Sequence, residues 1–165
     1  MESKIKVLGH PVHQMLVVFP VGLLMMAGIF DAIYFITGYA ALGVVSYWNI
    51  AAGIIGGVIA AIFGLIDWIG IPQRTRAKRI GAWHAAGNVV VLALFAASWL
   101  IRTGQASYLP TPAAFIVEIV AVAIGAVTAW LGGELVDRLG VGVDPGAHLN
   151  APSSLSEKPA SASAR

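Results

Sequence analysis

Histidines and carboxylates recur in this chain at the ends of long apolar stretches, where few other polar groups accompany them. His10-Pro11-Val12-His13 places two imidazoles about one helical turn apart at the start of the first stretch. Asp67 closes the second stretch and His84 opens the third. Imidazole and carboxylate are ordinary donors to zinc, copper and iron, and two imidazoles meeting at one depth can hold a haem iron between them. A second set is ionic: Asp31, Glu118 and Arg102 also fall within apolar stretches. Such groups are costly in a bilayer and face the interior of a helix bundle.

Their spacing says which elements carry them. His13 and Asp31, Asn49 and Asp67, and His84 and Arg102 are each eighteen residues apart. Five helical turns return a side chain to the same face about 27 Å along the axis, and a hydrocarbon core is roughly 30 Å thick. Each helix therefore carries one polar residue near each membrane surface. With antiparallel neighbours, His13, Asp67 and His84 form one layer and Asp31, Asn49 and Arg102 the other.

Composition agrees. The 165 residues are 58% hydrophobic and 11% charged, with a mean hydropathy of +0.83, whereas soluble domains carry about 25% charge. The absence of cysteine excludes disulfides, cysteine-ligated clusters and covalent haem. The net charge of +2 does not indicate nucleic acid, because the cations gather at span boundaries. The first stretch, from about Met15 to Ile36, is too long for a signal-peptide core and is read as a retained span.

The expected fold is all-α: an up-down bundle of four transmembrane helices at about 11–37, 46–71, 80–102 and 112–136, forming one domain over 1–143. Pro20 should free the carbonyl of Leu16 and kink the first helix, and Pro72 stops the second. The Ser/Ala/Pro-rich segment 144–165 is read as a disordered tail. Lys4, Lys6, Arg74, Arg76, Lys78, Arg79, Arg138, Lys158 and Arg165 all fall on one side, with Arg102 alone on the other. The positive-inside rule then makes both termini cytoplasmic, in the inner membrane of a bacterium. Asn49, Gly53, Gly56, Ala60, Gly64 and Asp67 share one face of the second helix as a small-residue ridge for close helix contact. Should that ridge face outward, it would serve a homo-oligomer instead. Five tryptophans near span ends read as an aromatic belt.

Four functional readings follow. The first makes His13 and His84, on diagonal helices, the axial ligands of one b-type haem, with Asp67 fixing an imidazole by hydrogen bond. Gly64 and Gly87 would leave room beside it, and the chain would be an electron-transfer membrane subunit. The second gathers His10, His13, Asp67 and His84 around a single transition metal. The third is structural or assembly-related: the histidines bond carbonyls or water, and Asp67 pairs with Arg74 or Arg79. The fourth is a proton or ion pathway along an oligomeric axis, since the residues between the layers are too apolar to conduct within one chain. Arg102 is expected to form a structural ion pair with Asp31 or Glu118. Glu134 is expected at the cytoplasmic interface, and His148 has no assigned role. No catalytic residue is nominated, because Gly-x-Ser-x-Gly, phosphate-loop and His-Glu-x-x-His patterns are absent.

Gly9-His10-Pro11-Val12-His13, Asp31, Gly64-Leu65-Ile66-Asp67-Trp68, His84 with Asn88, Trp99-Leu100-Ile101-Arg102 and Leu131-Gly132-Gly133-Glu134-Leu135-Val136 occur in order. Over residues 7 to 143 the chain resembles the bacterial membrane-protein family catalogued as domain of unknown function 2231. The family has no established activity. Some members are fused to a Rieske iron–sulfur domain, so the resemblance implies a membrane partner for a Rieske-type or other redox protein.

Overall fold

A backbone in lipid must satisfy its own hydrogen bonds, so long apolar stretches become helices. The computed structural model describes residues 1–156 and 158–162. Four segments are long and apolar enough to cross a membrane: Val12–Thr37, Ala40–Gly70, Arg76–Arg102 and Ala106–Arg138. The first is divided into α1 (Val12–Leu16) and α2 (Val18–Thr37). Then come α3 (Ala40–Gly70), α4 (Arg76–Arg102) and α5 (Pro112–Gly133), the last continuing as a π-helical turn over Glu134–Arg138. The break between α1 and α2 lies where Pro20 cannot donate to Leu16. The ladder resumes when the Val21 amide bonds to the Val17 carbonyl at 3.2 Å.

Helix ends follow local chemistry. α2 stops at Gly38, whose φ of 72° ends the helix and whose amide bonds back to Tyr34. α3 starts at Ala40, well before the expected residue 46. Nothing in Ala40–Val45 breaks a helix, and Ser46 is an interior residue rather than a cap. Thr75 caps α4 by accepting from the Lys78 amide, so Arg76, Lys78 and Arg79 lie inside the first turns of α4. Thr111 and Pro112 start α5 in the same manner.

The N-terminal segment departs from expectation. Lys6–Val7 (β1) and His10–Pro11 (β2) form a short antiparallel pair. Its turn is Leu8-Gly9, with φ of 51° and 83°, the left-handed pair that a tight hairpin needs. This hairpin takes His10 out of the helix. The Met1 ammonium donates to the Gly140 carbonyl at 2.6 Å, and Lys6 bridges Glu2 and Asp144. The chain start is thus strapped to the segment after α5. Among the described residues no helix or strand follows Arg138. Of the expected tail, Glu157 and residues 163–165, including Arg165, lie outside the described set.

α2 packs along α3 and α4 along α5, and the two hairpins meet through α3 with α4 and α2 with α5. α2 and α4 therefore occupy one diagonal. Leu24, Ala27, Ile50, Val91, Phe95 and Ala121 form the apolar centre. Large side chains such as Ile55, Val89, Ile116 and Val127 point outward, as lipid-facing positions should. The small-residue ridge of α3 turns inward: Gly53 meets Leu24, Gly56 meets Pro20 and Gly64 meets His13.

Candidate functional site

At one end of the bundle, Arg102 is completely buried near the C-terminus of α4, together with Asp31, Ser46, Ser98 and Glu118. Its Nη1 donates to Asp31 at 2.7 Å and to Ser46 Oγ and Glu118 Oε1 at 3.2 Å each. Nη2 donates to the Gly43 carbonyl at 2.6 Å, and Nε to the Tyr108 carbonyl at 3.0 Å. Ser46 Oγ donates in turn to the Ala27 carbonyl, and Ser98 Oγ to Glu118. Every span contributes: Asp31 from α2, Ser46 and Gly43 from α3, Ser98 and Arg102 from α4, Glu118 from α5. An aromatic stack roofs the cluster, with Tyr47 between Tyr108 and Trp99 at centroid distances of 4.4 and 5.2 Å. Glu118 Oε2 is buried without a donor. One guanidinium faces two carboxyls, so charge balances when they hold one proton between them.

At the other end each histidine is seated within its own helical hairpin. His13 Nδ1 lies 2.9 Å from the Ala60 carbonyl, and a Cβ placed on Gly64 would lie 2.7 Å from its ring. His84 Nδ1 lies 2.8 Å from the Thr128 carbonyl, and a Cβ on Gly132 would lie 3.1 Å from its ring. A carbonyl only accepts, so both rings carry a proton on Nδ1. The two seats match: a carbonyl and, four residues on, a glycine notch. In the second, Asn88 Nδ2 donates to His84 Nε2 at 3.2 Å, and Thr128 Oγ1 donates to Asn88 Oδ1. Both nitrogens of His84 are therefore engaged.

The cofactor arrangements drawn from the sequence meet different surroundings here. The spaces at Gly64 and Gly87 are filled, the first by the His13 ring and the second by the Thr128 methyl. Leu92 fills the corresponding space at Gly57. The room expected beside the two histidines is thus taken up by side chains in this conformation. Asp67 fixes no imidazole: it accepts from Ser3 Oγ and from the Lys4 amide at 2.6 Å. Nor does it pair with Arg74 or Arg79. His10 is exposed and meets Ser154. Among the described residues no group of three or more metal-binding side chains converges. The hairpin at the chain start is the physical reason, since it turns His10 outward and covers Asp67. Glu134 pairs with Arg76 at 2.5 Å.

Some members of the Arg102 cluster escape a reading of charges and spacing. Ser46 looked like a helix start, and the Gly43 and Tyr108 carbonyls have no side-chain signal. Ser98 and Asn88 do lie on the stripe that joins His84 to Arg102. Trp99, expected in a lipid-facing belt, instead packs within the bundle against Tyr47, and Trp68 donates to the Lys78 carbonyl.

The profile of a family described as a predicted membrane protein, DUF2231, matches residues 9–145. The chain belongs to this family. It is a multi-pass membrane protein, and the matched region holds both polar layers, all four spans and the β2 hairpin strand. No curated protein and no solved structure matches.

Proposed function

We propose that this member of DUF2231 is a structural membrane subunit whose buried polar layers fasten helices and carry no substrate. The observation behind it is the saturation of Arg102: all three of its nitrogens have protein acceptors drawn from every part of the bundle. A substrate anion would find no free donor there. The apolar centre of Leu24, Ile50, Val91 and Phe95 separates the two layers, which argues against conduction through one chain. The inward-facing ridge of α3 argues against an oligomeric axis along it. The concentration of cations at the His13 end supports a bacterial cytoplasmic membrane with both termini inside. The structural role would be assembly with a partner, which the family resemblance suggests is a Rieske-type or other redox protein. Purified protein in liposomes tests this directly. Proton flux should equal that of protein-free vesicles, and flux abolished by Glu118→Gln would overturn the structural reading.

A second reading rests on the matched histidine seats. Nδ1–H bonded to a carbonyl is the arrangement that presents Nε2 to a metal, and His13 Nε2 has no hydrogen-bond partner among the described residues. A bound haem would supply one-electron transfer, and it would require Asn88 to release His84. The absorption spectrum of membrane-purified protein decides. A Soret band lost in both His13→Ala and His84→Ala would replace the structural reading with the redox one.

A further inference from the structure

The C-terminus of α3 and the first turns of α4 enclose an open cleft of about 380 Å³ between Trp68, Gln73, Arg74, Thr75, Lys78 and Arg79. Three of these residues are cations and none is acidic. Lys78 is committed: its ammonium bonds the Trp68 carbonyl at 2.7 Å and lies 3.8 Å from the centre of the Trp68 ring. Arg76, outside the cleft, is neutralised by Glu134. Arg74 and Arg79 are different. Both are exposed, and among the described residues neither guanidinium has a carboxylate or other hydrogen-bonding partner.

We infer that this cleft binds the phosphate group of an anionic phospholipid. Two unpaired guanidinium groups beside a third cation match a phosphate, for which arginine supplies paired donors. The position selects a lipid as the source. The cleft opens where two spans end, at the level of the interfacial Trp68, and Ala82 on its wall begins the apolar part of α4. A headgroup in the cleft would let its acyl chains follow α4 past the exposed Trp83. Basic pockets between helices at this depth are known to suit anionic headgroups. Gln73 would add a neutral donor to the phosphate oxygens, whereas the Thr75 hydroxyl is engaged by the Pro72 carbonyl and the Lys78 amide.

Native mass spectrometry of the detergent-purified chain, titrated with phosphatidylglycerol, phosphatidylcholine or inorganic phosphate, tests this. Phosphatidylglycerol should bind in preference to phosphatidylcholine. Arg74→Ala with Arg79→Ala should weaken it by roughly 30-fold, about fivefold per cation removed. The corresponding double lysine variant, which keeps both charges but loses the paired donors, should bind more tightly than the alanine pair and less tightly than the original. Phosphate alone binding as tightly as the lipid would overturn the lipid assignment. Equal binding of both lipids, or undiminished binding by the alanine pair, would overturn the site.

Discussion

Asp31, Ser46, Ser98, Arg102 and Glu118 each have a buried partner that dictates what their replacement does. Gly64 is sharper still, because the His13 ring occupies the space of its missing side chain. Gly64→Ala should push the imidazole off the Ala60 carbonyl and destabilise the protein by about 1–3 kcal/mol, the usual range for an overpacked contact. The same change should cost little once His13 is alanine, a non-additivity that a double-mutant cycle reads directly. Gly132→Ala should be milder, since its clearance from His84 is 3.1 Å. Glu118→Gln should be tolerated, within about 1 kcal/mol, because the amide oxygen can accept the same bonds from Ser98 and Arg102 and the amide is neutral like a protonated carboxyl. Thermal unfolding in detergent is the measurement for all three. Equal destabilisation by Glu118→Gln and Arg102→Ala would show that both carboxyls are needed as anions.

At the scale of elements, the sequence was most legible where apolar length and breakers decide: four spans, the lapse after Leu16, and the diagonal placement of the first and third helices. Boundaries are less legible where the signal is a single polar residue. The second helix, expected from about residue 46, starts at Ala40 with Ser46 serving the interior, and Arg76, Lys78 and Arg79, expected before the third, form its first turns. The hairpin before α1 was illegible because its two-residue strands have no periodicity; Leu8-Gly9 gives only a turn. That hairpin makes a pH prediction. Hydrogen bonding to Asp144, then to Glu2, raises Lys6 above its ordinary 10.5. A raised amine stabilises the strapped state fully below 10.5, and that contribution is lost as pH rises through the higher folded-state value. Amide exchange over Lys6–His10 should hold steady in its protection through neutral pH and lose protection only above 10.5. Release of the segment near neutrality would show that Lys6 does not hold it.

For the whole molecule, an apolar middle lies between two polar ends that differ in what they join. The His13 end closes each hairpin on itself, and the Arg102 end ties the hairpins to one another. The residues of the Arg102 end were visible from charge and spacing. What their arrangement excludes was not, because saturation of a guanidinium by carbonyls leaves no trace in side-chain identity. The orientation proposed for the bundle predicts that Thr75→Cys, in this cysteine-free chain, reacts with an impermeant thiol reagent only when the cytoplasmic face is open, and Gly104→Cys only from outside. Labelling of both from one side would refute the four-span topology. The claim that the Arg102 cluster is a fastener is tested most directly by a double-mutant cycle on the unfolding free energy of Arg102→Ala and Asp31→Ala. Removing Arg102 alone should cost about 3–5 kcal/mol, as for a broken buried pair, and removing both should cost clearly less than the sum of the single losses. Strictly additive losses, or an Arg102→Ala protein as stable as the original, would contradict it.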